Sequence, residues 1–531
     1  MEKATIKRVS HENVGNKSSA LIWLTLVTWL SVSILNWYFF SIAVFQVIEP
    51  TIIITLKLVY LPWTMFWLWG IHNFWHQTFS CLRRSQPLPL HKSPASDEVV
   101  ILYTTCDDFE PFACRSCLEQ TYAAVRLIIC DDSTTAHSRL QIDAFASQYG
   151  SRVTVTRRPD RYGFKAGNIN YVLTKFVHEE FVVLCDADEV LPPTFVADLI
   201  PYLQEESLVF VQARHQVRNP AATRFSSLLG HVTNIFFDYS LPLRNRFGFV
   251  SCFGHGVMFR RSLCLEIGGF PLMASEDLAF ASRALAAGYR GLYVEQITAE
   301  EAFPASYTAL LKKYRRVVEG TIEYFHDEFP RLIKSRKATW TEKADLLLTY
   351  SACYVGMVGM LNLIGGLIII CVNHVAGYSR LEMWLLIVYL IGPFTPVVPM
   401  IVCIPRSPVQ YVRMFFSAAI AYASLLPMLA LRGTAQILSR HPTVFEPTGK
   451  IGRQRQRFHE HFLTQATGIC ILCIALGFRS PAIIPAAGLG LMFILGPVLC
   501  LSERSHGLGA LARNSGFIPF AVMGLLLFWW D

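Results

Sequence analysis

The stretch Phe181-Val182-Val183-Leu184-Cys185-Asp186-Ala187-Asp188-Glu189 decides how the rest of the chain is read. Five apolar residues suited to a buried strand give way to two carboxylates one residue apart. In a doubly wound sheet, ligands bind just beyond the carboxyl ends of the strands. Two carboxylates at that edge can hold a divalent cation, and the cation can hold a diphosphate. A lone Asp-X-Asp is as readily a strand running into a solvated acidic turn, so the surroundings decide.

Working outward, β-rich runs alternate with helical ones from about residue 97 to 330, which predicts a parallel sheet. Strands are expected at Val99 to Thr104, Arg126 to Cys130, Arg152 to Thr156 and Leu208 to Gln212. A helix is expected from Lys165 to Val177, after a turn at Tyr162-Gly163. A second acidic pair, Asp131-Asp132, closes another of these strands, and the carboxyl edge gathers such residues into one crevice. Asp186 and Asp188 are expected to bind Mg²⁺ or Mn²⁺ on a diphosphate, and Asp131 or Asp132 to accept hydrogen bonds from a base or ribose. A third acidic site, Ser275-Glu276-Asp277, follows a glycine-rich turn. Inverting glycosyl transfer needs one carboxylate to deprotonate the acceptor hydroxyl and cations to stabilise the leaving diphosphate. Lys313, Arg315 and Arg316 follow on a segment spaced like an interfacial helix, where a basic membrane-facing surface explains them equally well.

The flanks have a different character. Of the 531 residues 53% are hydrophobic, and the long apolar runs lie at the two ends. Several reach the roughly 20 residues that span a bilayer, and the first is too long for a cleaved signal peptide. The net charge of +8 forms no basic low-complexity tract, which argues against nucleic acid as a partner. It lies beside the apolar runs, as the positive-inside rule arranges it. The 14 cysteines form no disulfide-like framework, and Cys114-X-X-Cys117 has no second metal-ligand pair, so burial on one helix face is the expectation.

Charge bias then orders the chain. Residues 1–19 form a basic tail, and 20–78 a transmembrane hairpin broken at Glu49-Pro50, with Arg83, Arg84 and Lys92 after it. Both flanks, and the domain that follows, are placed in the cytoplasm. Apolar segments recur near 345–373, 382–404, 408–432, 461–479, 481–501 and 516–530. If all six cross, the basic stretch holding Arg440, Lys450, Arg453, Arg455 and Arg457 is left outside. Reading 408–440 as an interfacial helix removes that conflict. A hairpin at 345–404, an interfacial helix and loop at 408–460 and C-terminal helices at 461–531 then give about seven spans, two before the domain and five after it.

Several ordered motifs now resemble a known family, the membrane-integrated processive family 2 glycosyltransferases of the cellulose synthase type. Lys165-Ala166-Gly167-Asn168-Ile169-Asn170 is similar to its KAGNxN element. Val211-Gln212 with His215 and Asn219-Pro220 resembles the next strand and loop. Phe253-Gly254-His255-Gly256, with Arg260-Arg261 and Gly268-Gly269-Phe270, resembles its acceptor-side loop. Ser275-Glu276-Asp277 stands where the family has TED, which makes Asp277 the expected general base, with Glu276 beside it. Phe445-Glu446-Pro447-Thr448-Gly449-Lys450 resembles the FxVTxK gating loop, implying that Phe445, Thr448 and Lys450 close over the donor.

Two departures stand out. The QxxRW motif is Lys313-Tyr314-Arg315-Arg316-Val317, which keeps Arg316 for the diphosphate but replaces the acceptor-stacking tryptophan with Val317. Thr105-Cys106-Asp107 replaces Tyr-Asn-Glu near the base, so that Asp107 keeps an acidic role while Thr105 cannot stack.

The resemblance implies a Rossmann-like GT-A α/β domain facing the cytoplasm, inserted in a transmembrane helical bundle, in the plasma (inner) membrane. The implied reaction is inverting, processive transfer from a nucleoside diphosphate sugar, UDP-glucose first, to a β-linked glycan exported through the helices. The expected partners are the nucleotide sugar, the growing glycan, membrane lipids and accessory export or regulatory subunits. Alternatives are another donor (UDP-GlcNAc or GDP-mannose), a non-processive enzyme using a lipid-linked acceptor, or an inactive transferase-like scaffold.

Overall fold

The computed structural model describes residues 11–45, 50–82, 97–218, 224–304, 307–351, 354, 356–360, 408–441, 443, 459–477, 483–501 and 522. Two long helices come first, α1 (His11–Phe45) and α2 (Pro50–Leu82). They pack as a hairpin in which indole N–H groups satisfy the facing helix: Trp29 Nε1 donates to the Thr64 carbonyl (2.7 Å) and Trp75 Nε1 to Thr28 Oγ1 (3.1 Å).

The domain follows with β1 (Val99–Thr105), α3 (Pro111–Leu118), β2 (Val125–Asp131), α4 (Ala136–Ser147), β3 (Val153–Thr156), α5 (Phe164–Lys175) and β4 (Phe181–Asp186). Each strand is an apolar run ended by a polar residue, and β1 is buried along its whole length. Val182, Val183 and Leu184 are fully buried, which stabilises the fold by about 1.5–3 kcal/mol per side chain. Next come α6 (Phe195–Leu199), β5 (Leu208–Val217), α7 (Arg224–Ile235), α8 (Leu241–Phe247), β6 (Val257–Arg260), α9 (Arg261–Glu266), α10 (Glu276–Ala287) and β7 (Arg290–Glu301).

The seven strands form one sheet in the order β3-β2-β1-β4-β6-β5-β7. The first four are parallel, as expected, and β5 is parallel to β7. β6 runs antiparallel to both neighbours, so the sheet is mixed rather than wholly parallel. β6 is only four residues long, follows directly on the glycine-containing 253–256 loop and lies between β4 and β5. Apolar clusters cover both faces of the sheet, one of them built on α5 and α10 and the other on α3, α4 and α6.

Helices α11 (Tyr307–Asp327), α12 (Phe329–Lys334) and α13 (Trp340–Tyr350) close the domain, and α14 (Pro408–Ser439), α15 (His459–Gly477) and α16 (Ile483–Leu501) follow. α11 buries Leu310 and Leu311 against Ala418, Ala421 and Leu425 of α14. Among the described residues, Ala20–Tyr38 and Ala418–Ser439 are long and apolar enough to cross a membrane. The second lies within the segment read above as interfacial, and the seven-span count is not reached among the described residues. The expected segments at 382–404 and 516–530, apart from residue 522, lie outside them.

Candidate active site

The opening stretch ends as the pattern of residue types requires. Asp186 and Asp188 are partly exposed while Ala187 and Glu189 are buried, so the two carboxylates face the crevice together. Hard oxygen donors on one side of a strand end suit Mg²⁺ or Mn²⁺, and that donor set fits the expected metal. Asp186 Oδ1 is 2.6 Å from Lys165 Nζ and accepts from Thr104 Oγ1 at 2.8 Å. Burial pushes the Asp186 carboxyl up, but the Lys165 ammonium more than reverses this and holds it well below the usual range.

Lys165 is the hub of the site. It sits in the first turn of α5, donates to the Gly254 carbonyl at 2.9 Å and lies 4.0 Å from Glu276 Oε1. Gly254 has φ +72°, and a Cβ there would come within 3.2 Å of Asp277 Cβ and 3.6 Å of Lys165 Nζ. Glycine both adopts this left-handed backbone and lets the loop approach the carboxylate pair. Glu276 and Asp277 open α10. Burial raises both carboxyls, Asp277 repels the Glu276 charge, and Lys165 and Arg316 only partly offset this. α11, which carries Arg316, comes close because residue 320 is glycine: a Cβ there would sit 2.5 Å from Ser275 Oγ.

Beneath the 253–256 loop lies a buried group that residue types alone did not assign. Gln212 Oε1 accepts from Phe253 N–H (2.9 Å), and its amide nitrogen is 3.0 Å from the His255 and Gly256 carbonyls. Glu189 accepts from Gly256 N–H (2.9 Å) and lies 3.0 Å from His255 Nδ1. His255 stacks on His215 with ring centroids 4.3 Å apart. Burial lowers the His255 pKa, but Glu189 and Asp186 outweigh it and push it up to about 10. Burial and the neighbouring His255 charge push His215 down to about 3. Glu189, His215 and His255 present ligand atoms within 4.8 Å of one another. Those atoms already serve one another and the loop backbone, which makes the group a brace for the loop. The Val211-Gln212 and His215 motif was the available sequence signal, but its partners lie about 40 residues or more away.

The second acidic pair is engaged by arginines. Asp132 takes a bidentate pair from Arg158 (2.9 and 2.6 Å), and Asp131 accepts from Arg157 (2.6 Å) and Ser133 N–H (2.8 Å). Asp107, at φ +61°, accepts from the backbone and hydroxyls of Thr134 and Thr135. Burial raises its carboxyl, but these bonds hold it well below the usual range. Thr105 Oγ1 is used by Asp108 (2.9 Å). These residues form one joined edge, since Asp132 N–H donates to the Thr105 carbonyl. Asn170 binds the Phe270 backbone through both amide atoms, uniting the 165–170 and 268–270 motifs. On α11, Lys313 lies over the Phe303 ring (5.8 Å) and Val317 is 44% exposed, an open aliphatic surface with no stacking ring. Phe445, Thr448 and Lys450 lie outside the described residues.

With this geometry in view, residues 181–432 match the family model described as glycosyl transferase family group 2. Residues 181–432 are thus similar to a family 2 glycosyltransferase domain. The chain is 29% identical over 252 residues to a probable glucomannan 4-beta-mannosyltransferase of Oryza sativa subsp. japonica, covering 45% of this chain and 42% of that protein. It is 25% identical over 239 residues to glucomannan 4-beta-mannosyltransferase 2 of Arabidopsis thaliana, covering 42% and 44%. The matched region thus spans less than half of either relative. Among solved structures, a mannosyltransferase of Pyrobaculum calidifontis in complex with GDP-mannose and Mn²⁺ is similar at 16% identity, over 73% of this chain and 96% of that one, with a TM-score of 0.43.

Proposed function

We propose that the protein transfers a hexose, with inversion, from a nucleoside diphosphate sugar to a growing β-linked glycan at a membrane. The observation that carries this reading is the Lys165 hub, which joins the strand-end carboxylate Asp186 to the carboxylate pair Glu276-Asp277 through one side chain and the Gly254 carbonyl. Asp277 takes the acceptor proton, since a base must stay partly protonatable near working pH and burial raises this carboxyl. The bond from the sugar C1 to the β-phosphate oxygen breaks, and the nucleoside diphosphate leaves with its β-phosphate beside Asp186 and Asp188, its charge offset by Arg316 from α11. Asp186 and Asp188 would hold a divalent ion, which when bound would neutralise the charge of the diphosphate. Asp107, Asp131 and Asp132 fix the floor of the nucleotide end, with Arg157 and Arg158 as counter-charges to Asp131 and Asp132. Val317 lies toward the acceptor and Lys313 toward the donor, and the loop bearing Phe445, Thr448 and Lys450 closes over the donor.

The preferred donor is UDP-glucose, by resemblance to the cellulose synthase type. GDP-mannose is the second reading, favoured by the names of the plant relatives. The product is proposed to leave through the helices, processively, with the catalytic domain cytoplasmic at the plasma membrane and the Pro408–Ser439 helix along the bilayer face. Purified protein in nanodiscs, offered labelled UDP-glucose, UDP-GlcNAc and GDP-mannose with Mn²⁺, tests this. Polymer digested by a linkage-specific hydrolase and abolished by a chelator is the expected result. Transfer of one sugar into lipid extract would overturn processivity, and transfer undiminished by chelation would overturn the metal role.

A further inference from the structure

A second buried polar cluster lies away from the carboxylates of the active site, where the helices flanking the domain meet it. Asp345, on α13, is fully buried. Its Oδ2 accepts from Arg244 Nη1 of α8 at 2.6 Å and from the Phe249 backbone N–H at 2.9 Å, and its Oδ1 lies 3.2 Å from His72 Nε2 of α2. Arg244 is anchored twice on α13, since its Nη2 also donates to Thr349 Oγ1 at 2.7 Å. Arg244 and His72 are themselves 5% and 1% exposed. Residue 248 must be glycine for this closure, because a Cβ there would stand 2.1 Å from Asp345 Oδ2. Gln77 of α2 adds a bond to Ser240 Oγ just before α8 (2.6 Å), and Tyr350 of α13 bonds Ser251.

These contacts converge on one segment. Phe249 begins the irregular run that ends at Gly254, whose carbonyl binds Lys165 and whose backbone lies against Asp277. The run is therefore held at both ends, by Asp345 at 249 and by Gln212, Glu189 and Lys165 at 253–256. A buried carboxylate needs a charged partner to offset its desolvation, here Arg244, and the Phe249 N–H and the facing His72 ring complete its surroundings. We propose that Asp345 is a positioning residue that sets the acceptor-side loop against Glu276 and Asp277, and that it does so by joining α2 and α13, the helices on either side of the domain, to Phe249. A shift of α2 or α13 is thereby passed to the loop. The inference rests on the proposed transfer reaction only where it calls the loop acceptor-side.

The test is hydrogen–deuterium exchange of the full-length protein in nanodiscs, with Asp345→Asn beside the unmutated chain. Loss of a charge-assisted bond predicts exchange about tenfold faster or more in the 248–256 segment, with β1, β2 and β4 unchanged. In a transfer assay, kcat falls by a similar factor while affinity for UDP or GDP with Mn²⁺ is unaltered, and Asp345→Glu recovers part of the loss. Unchanged exchange at 248–256, exchange accelerated evenly across the domain, or nucleotide affinity lost together with kcat would each refute the positioning role. Should Asp345→Asn fail to fold, His72→Gln, which removes only the α2 partner, and Gly248→Ala, which crowds the carboxylate, are read the same way. The exchange measurement needs no turnover, so it stands even if no donor is transferred.

Discussion

The two halves of the crevice treat their carboxylates in opposite ways. On the β1-β2-β4 edge four acidic groups have close fixed counterparts: Arg158 for Asp132, Arg157 for Asp131, the Thr134-Thr135 turn for Asp107, and Lys165 for Asp186. On the other side, Glu276 and Asp277 stand adjacent at the start of α10 with Lys165 at 4.0 Å from one of them, and both are raised by burial. The first arrangement keeps charge in place, as a diphosphate and a cation require. The second keeps a proton exchangeable, as an acceptor hydroxyl requires. Environments that push like groups apart in pKa mark the division of labour in an active site.

The comparison breaks most sharply at Asp277. Asp277→Asn is expected to lower kcat/KM for transfer by about 10²–10⁴-fold, the usual contribution of a positioned base, with nucleotide affinity retained. An Asn variant that transfers at the unmutated rate would move the base elsewhere.

Lys165 tests the bridge between the halves. Its side chain is 15% exposed, and Lys165→Gln leaves Asp186 and Glu276 without their shared cation. A loss of about 3 kcal/mol in denaturant stability is expected from breaking a buried pair. Donor affinity and transfer should fall together. Loss of transfer with stability and donor affinity unmoved would mean that Lys165 does not join the two halves.

Much of this division was legible in the residues, and the limits have physical causes. Strands such as Val125–Asp131 and Phe181–Asp186 declare themselves because a buried strand is a short apolar run closed by polar residues. β6 does not, because four residues after a glycine-rich loop carry no pattern of their own. The Ser275-Glu276-Asp277 and Lys165–Asn170 motifs were found by family order, and the structure brings Lys165, Gly254, Glu276 and Asp277 together. Neutralisation of Asp131 and Asp132 by Arg157 and Arg158 was not visible, since two adjacent acids and two adjacent bases 26 residues apart show no register. The same holds for Asp345 with Phe249 and Arg244, about 100 residues away, and for the bracing of the 253–256 loop by Glu189 and Gln212. Contacts of that range are decided by the packing of whole elements.

The smallest expected effect lies at the half-exposed Val317. Restoring an aromatic with Val317→Trp adds a stacking surface of about 0.5–1.5 kcal/mol, so KM for the acceptor is expected to shift by roughly two- to tenfold with donor KM unchanged. A change in donor KM instead would place residue 317 on the wrong side of the comparison.

The difference between the halves is tested most directly by pH. A base whose pKa is raised must lose its proton to act, so kcat/KM falls as pH drops through the raised value and is recovered above it. Asp107 and Asp186, held low by their partners, stay ionised over the same interval. Transfer and binding of the nucleotide sugar, whose diphosphate diester has no proton to lose in this range, measured side by side from about pH 5 to 8, should therefore separate: an acid limb in kcat/KM above the ordinary carboxylate range, and flat donor affinity. An acid limb confined to pH 4 and below, or donor affinity that titrates together with transfer, would contradict the account.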